Sequence, residues 1–147
     1  MPAAICGTYV GNAEGHTSPE DCPALVAAAL EVGFQHFDSA LMYMNEAELG
    51  AALKGTDDDI YVTTKIAHPD DPNRNHTACT YMEDPEADAV EGVLRNVESS
   101  VEKLDLGRPI DLVLIHWPGV FMSQDAEFNE RKRWEIWQGL EAAQRQG

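Results

Sequence analysis

Asp38, Tyr43, Lys65 and His116 carry the side chains that carbonyl chemistry needs. A tyrosine hydroxyl titrates near ~10 in water and is a poor acid at neutral pH, but an ammonium beside it stabilises the phenolate it leaves. Lys65 has the charge for that task, and Asp38 has the opposite charge to hold the ammonium in place. An imidazole at His116 would donate to a carbonyl oxygen as negative charge grows on it. Taken singly, each has a plainer reading: Asp38 as a loop cap, Lys65 as a solvated rim charge, His116 as a satisfied core imidazole. Position joins them, because each stands at or just beyond the end of a strand-like run.

Those runs alternate with helical ones. Ala3–Thr8 reads as a short strand of small residues. A helix follows within Ser18–Glu31, with Asp21 as its cap, Pro23 in the first turn, Leu25, Ala28, Ala29 and Val32 on one face, and Gly33 as its stop. Phe34–Asp38 is the second strand. Asn45-Glu46-Ala47-Glu48 has the form of a capping box opening a helix that buries Leu49, Ala52 and Leu53 and ends at Gly55. Asp59–Lys65 is the third strand, and Ile66–Asp84 a long loop of the kind that is usually functional or mobile. The third helix starts around Pro85, with Val90, Leu94, Val97, Val101 and Leu104 at helical spacing. Ile110–His116 is nearly all apolar, as a parallel strand covered on both faces would be, and a last helix spans Asn129–Gln146 with Ile136, Trp137, Leu140 and Ala143 inward. Alternation of this kind implies a parallel α/β sheet with right-handed crossovers, and the C-terminal strand ends of such a sheet form one rim where the four polar residues converge. Periodicity does not choose between a doubly wound sheet and a barrel segment.

Composition sets the outer bounds. With 26 acidic residues against 10 Lys and Arg, the net charge of −16 argues against nucleic acid and anionic membranes as partners. No apolar run approaches the ~18 residues of a membrane span, and the first residues lack the form of a signal peptide. The three cysteines, Cys6, Cys22 and Cys79, follow no metal spacing and suggest reduced thiols in a cytoplasmic protein. Weaker candidates remain. His68-Pro69-Asp70-Asp71 with His76 offers metal-type ligands without the spacing of zinc sites, Cys6 is more in keeping with a packed residue than a reactive thiol, His36 reads as structural, and Trp134 with Trp137 as packing or an interface anchor.

The segment Gly33–Gly50, GFQHFDSALMYMNEAELG, resembles the signature of the aldo-keto reductase family, in which Asp and Tyr are separated by four residues and followed by Asn-Glu. Asp59–Lys65 resembles the strand bearing that family's catalytic lysine, Ile110–Pro118 the strand bearing its histidine, and Cys6-Gly7-Thr8-Tyr9 the stretch after the first barrel strand. The resemblance covers nearly the whole chain. It implies Tyr43 as general acid, Lys65 and Asp38 as the groups that tune it, and His116 as the group that orients the carbonyl. Tyr9, Trp117 and the Ile66–Asp84 loop would line the substrate pocket, with Ala67 in place of a bulky aromatic making it roomier.

Members of the family that the chain resembles fold as complete (β/α)8 barrels, which take about 250 residues, so the resemblance implies that the 147 residues form a (βα)4 half of a TIM-type barrel, expected as a single truncated domain over residues 1–147. The family's residues for the nicotinamide and the adenosine phosphate come mostly from the later strands. The half barrel would leave its first and fourth strands as open edges, and a homodimer that closes one eight-stranded barrel is the expected remedy. The first expectation for function is cofactor-independent acid–base chemistry on a small-molecule keto substrate: isomerisation, dehydration or aldol-type cyclisation, with no cofactor and no metal. The alternatives are an NADPH-dependent aldehyde or ketone reductase, as a fragment or completed by a partner chain, and a non-catalytic binding subunit.

Overall fold

The computed structural model describes residues 4–9, 18–56, 59–66, 89–119 and 123–147. Four strands, β1 (Cys6–Gly7), β2 (His36–Asp38), β3 (Tyr61–Ile66) and β4 (Leu112–Ile115), form one parallel sheet in the order β1-β2-β3-β4. Between and after them run α1 (Cys22–Glu31), α2 (Glu46–Leu53), α3 (Ala89–Leu104) and α4 (Ala126–Gln146), with α1 packed on α2, α2 on α3, and α3 on α4. Strands laid down in sequence order with right-handed crossovers place their helices on one face, which is a barrel wall; a doubly wound sheet needs a reversal of strand order. Topology therefore settles what periodicity left open.

The helix punctuation follows the chemistry of the ends, with corrections. Gly33 (φ 89°) stops α1 as expected, and the turn is a Schellman motif: the Phe34 amide donates to the Ala29 carbonyl and the Gly33 amide to Leu30. Asp21 holds the capping position of α1 without a side-chain capping bond. The face α1 buries is Cys22, Val26 and Ala29; Ala28 is exposed and Val32 is 72 % exposed. Helix α4 begins one turn before Asn129, because the Asp125 carboxylate accepts the Phe128 amide at 2.9 Å. Its Trp137 is half exposed rather than inward, and Ile136 with Gly139 takes the buried face. The strands are shorter than the strand-like runs that announce them. At the start of β4 the Asp111 carboxylate, braced by Arg108, accepts the Val62 amide and so replaces a ladder bond.

Helix α3 shows the largest departure from its pattern. Its most deeply buried line is Val93, Asn96, Ser100 and Leu104, while Val97 is half-buried and Val101 is 45 % exposed. Gly50 brings α2 against the backbone of Leu104, and Glu46 of α2 lies by Ser100, so the polar line of α3 faces a buried carboxyl. The apolar stripe turns instead toward α4 and β4. There Val97, Val101, Leu106, Ile110, Trp137 and Leu140 line a groove of about 920 Å3. The expected start of α3 at Pro85 lies outside the described residues. No helix among the described residues is long and apolar enough to cross a membrane.

Candidate active site

The four rim residues arrive from three strands. Asp38 ends β2, Lys65 is the penultimate residue of β3, and His116 follows β4, its amide held by the Ile66 carbonyl at 2.9 Å. Tyr43 closes a 3-10 turn, Leu41–Tyr43, between β2 and α2. The next residue, Met44, takes the left-handed region (φ 56°) and turns the chain into α2. Such a backbone costs a non-glycine residue roughly 1–2 kcal/mol and persists only where its surroundings fix it.

Lys65 organises the centre. Its ammonium lies 2.8 Å from Asp38 Oδ2, donates to the Ser39 carbonyl at 2.8 Å and to the Tyr43 hydroxyl oxygen at 3.4 Å. Three N–H groups thereby meet three acceptors. Both members of the ion pair are largely withdrawn from solvent, with side-chain exposures of 14 % for Lys65 and 28 % for Asp38, so the pair is screened less than a surface one. The His116 ring meets the Tyr43 ring edge-on at 5.6 Å between centroids, and Tyr9 approaches Tyr43 from another side at 5.1 Å. Trp117 stacks on His116 at 4.2 Å with an interplanar angle of 19°. All four expected rim residues and both aromatic neighbours, Tyr9 and Trp117, are thus in one place. Ala67, the rest of the loop through Asp84, and the His68–Asp71 run with His76 lie outside the described residues.

Three further residues belong to this centre. Ser39 is fully buried and makes three contacts: its amide donates to Thr63, its carbonyl accepts Lys65, and its hydroxyl donates to the Asn45 side chain at 2.9 Å. Asn45 also donates to the carbonyl of buried Thr8, just beyond β1. Asn45 does occupy the capping position of α2, but its side chain makes no capping bond, which corrects the capping-box expectation. The cap signal in the sequence marked the right residue for another task.

The remaining candidates behave as packed groups. Burial pushes the Cys6 thiol above its ordinary 9.0, the direction opposite to a reactive thiolate, and carries Cys22 to about 11, with Glu48 and Cys6 adding to the effect. His36 is buried, with Nε2 2.7 Å from the Thr63 hydroxyl and its ring edge-on to Tyr61; burial lowers its pKa.

A family model described as the aldo/keto reductase family matches residues 4–147. The chain belongs to the aldo/keto reductase family. Among the members of that family, an aldo-keto reductase of Mycolicibacterium smegmatis is 36 % identical over 113 residues, which are 75 % of this chain and 34 % of that protein. A methylglyoxal reductase of Yersinia pestis is 33 % identical over 104 residues, 69 % of this chain and 30 % of its own length. Among solved structures, a Bombyx mori aldo-keto reductase in complex with NADP superposes with a TM-score of 0.68 at 26 % identity, covering all of this chain and 44 % of that one. The chain therefore spans about a third of the length of these curated relatives and under half of the silkworm enzyme. Its sheet is part of the aldo/keto reductase barrel.

Proposed function

We propose that this aldo/keto reductase chain carries the reacting end of an NADPH-dependent carbonyl reductase, with Tyr43 as the group that protonates the substrate oxygen. The reading rests on the way Lys65 is engaged. Because its ammonium donates to the Tyr43 oxygen, that oxygen is an acceptor toward Lys65 and its own hydrogen is left for another partner. A carbonyl oxygen over the Tyr43–His116 edge would take that hydrogen, with the imidazole beside it to polarise the bond. As the proton leaves Tyr43, Lys65 stabilises the phenolate and Asp38 keeps the ammonium in place. Tyr9 and Trp117 would stand as apolar walls that orient a small aldehyde or ketone.

When bound, a nicotinamide cofactor supplies the hydride to the carbonyl carbon. The donor set fits the proton half of that reaction. A grip on the cofactor's phosphates is a separate matter: of the basic run on α4, Arg131 and Lys132 lie against Glu135 and Arg133 against the Pro118 carbonyl. The cofactor-independent chemistry expected first finds no support among the relatives, which are reductases and include a structure holding NADP. Reduction fits them better.

The reading also includes a second copy of the chain. In the described sheet β1 and β4 each have one neighbour, and Leu114 on β4 is 38 % exposed, so a homodimer that pairs these edges would cover them. Sedimentation at micromolar concentration should give twice the monomer mass; a monomer would remove the homodimer from the proposal. For the reaction, the test is calorimetric titration of NADPH at low salt, followed by cofactor consumption with small aldehydes such as methylglyoxal. Micromolar binding and consumption that depends on Tyr43 are expected. A folded chain that neither binds nor consumes NADPH would overturn the reductase.

A further inference from the structure

Asn45 is 1 % exposed and stands two residues after Tyr43, at the first residue a helix would ask to cap it. Serine, aspartate and asparagine all cap well, so capping alone would not select asparagine. The contacts it makes do. The Thr8 carbonyl needs a donor and the Ser39 hydroxyl donates to an acceptor, and of these three side chains only the amide offers an acceptor together with two fixed donors at the same reach. An aspartate would set a carboxylate against the Thr8 carbonyl, and a serine is too short to meet both.

Through those two contacts Asn45 holds Ser39 and Thr8, each one hydrogen bond away from the Lys65–Asp38 pair. Ser39, its hydroxyl on Asn45, receives the Lys65 ammonium on its carbonyl. Thr8 donates its amide to the Asp38 backbone carbonyl, tying the end of β1 to the backbone of the residue whose carboxylate pairs with Lys65. Glu46, next in the chain, accepts the Thr64 hydroxyl at 2.6 Å, beside Lys65 on β3. Between Asn45 and Tyr43 lies only Met44, whose left-handed backbone leaves little slack. We propose that Asn45 is a positioning residue: by clamping Thr8 and Ser39 it sets the Tyr43 hydroxyl and the Lys65 ammonium in register with each other. Its link to catalysis rests on the reductase reading above, while its geometric part stands apart from turnover.

The test uses the full chain with 3-fluorotyrosine at its tyrosines, the Tyr43 resonance being assigned by its loss in Tyr43→Phe. Asn45→Ser keeps a good helix cap and removes the clamp. The variant should keep its far-ultraviolet circular dichroism, while the Tyr43 fluorine signal broadens and moves toward the free amino acid value. In NADPH-dependent reduction kcat should fall about 10- to 100-fold, as misplacement of a reacting group does, with KM changed no more than about threefold. Asn45→Asp should behave like Asn45→Ser or worse. A fluorine signal and kcat unchanged in Asn45→Ser would make Asn45 a helix cap and overturn the proposal. If Asn45→Ser does not fold, Ser39→Ala removes the hydroxyl contact alone and keeps the carbonyl for Lys65; the same shift in smaller measure supports the clamp, and no shift overturns it. Should the parent chain show no turnover, the reductase reading fails, and the fluorine signal still decides the clamp.

Discussion

Beneath β1, β2 and β3, nine buried residues that include Val26, Phe37, Leu49, Val62 and Leu104 form one continuous core. Beneath β4 and the end of β3, the buried set among the described residues is Ile66, Val93 and Ile136, with Val97, Val113, Ile115 and Leu140 only half-covered. Two valines of neighbouring strands show the contrast at one step: Val62 of β3 has no exposed surface, whereas Val113 of β4 retains some. Parallel strands are meant to be covered on both faces, and β4 borders the open groove, which Val113 and Ile115 line. The site inherits this asymmetry. Asp38, Tyr43 and Lys65 hang from the thick core, and His116 hangs from the thin one.

The largest effect expected is at the rim. On the proposed reductase reading, Tyr43→Phe should lower kcat by about 10²–10⁴, the worth of a positioned general acid, with the thermal midpoint preserved. A variant that unfolds instead would show that rim and core are not separable, and the contrast would dissolve. Next come two glycines on the two sides. A Cβ at Gly50 meets the Leu104 backbone, which has nowhere to go, so Gly50→Ala should cost about 3 kcal/mol in urea unfolding; at Gly139 it meets Val93 at Cβ and Cγ1, a stiff side chain that moves only with its helix, and the cost should be about 2 kcal/mol. Similar costs would mean the thin core is as stiff as the thick one. Val62→Ala against Val113→Ala repeats the comparison with cavities, at about 2 kcal/mol against less than about 1 kcal/mol.

The smallest effect is a pH dependence at the seam of the two cores. Burial holds the Glu46 carboxyl above its ordinary 4.5, against the opposing pull of the Thr64 and Ser100 hydroxyls and the Lys103 charge. The folded chain prefers the protonated acid, so this group's contribution to stability is whole below 4.5 and is lost as pH rises through the raised value. Glu46→Gln has no charge to bury. Its stability relative to the parent should improve steadily on going from acid to neutral pH. A difference that stays flat across that range would mean that burial does not raise the Glu46 pKa.

The rim was legible because chemistry and strand ends coincide in the chain: Asp38, Lys65 and His116 each close a strand-like run, and Tyr43 sits a fixed step beyond the first. The clamp behind it was half legible. Asn45 stood out as a cap, and nothing local told that its amide reaches Thr8, since that partner is distant in sequence and carries its acceptor on the backbone. The face of α3 misled for a physical reason. Its apolar stripe has the stronger period, yet the tight approach at Gly50 and the buried Glu46 turn its Asn96–Ser100 line inward, and tertiary packing outweighs the stripe. Trp137 misled in the same way, as an apolar residue on the side where the wall is uncovered.

Strand order has one further consequence. Each strand pairs with the strand before it in sequence, so every ladder in the described sheet closes over a single β–α–β unit. Parallel pairing across a helix is slow beside the closing of a helix or a hairpin, but these ladders can form in order as a chain leaves the ribosome N-terminus first, each new strand finding its template already standing. In the proposed homodimer the β1 edge would meet a strand of a second copy, which is a different kind of event. It needs two chains to meet, so it would set a slow phase of assembly that depends on protein concentration.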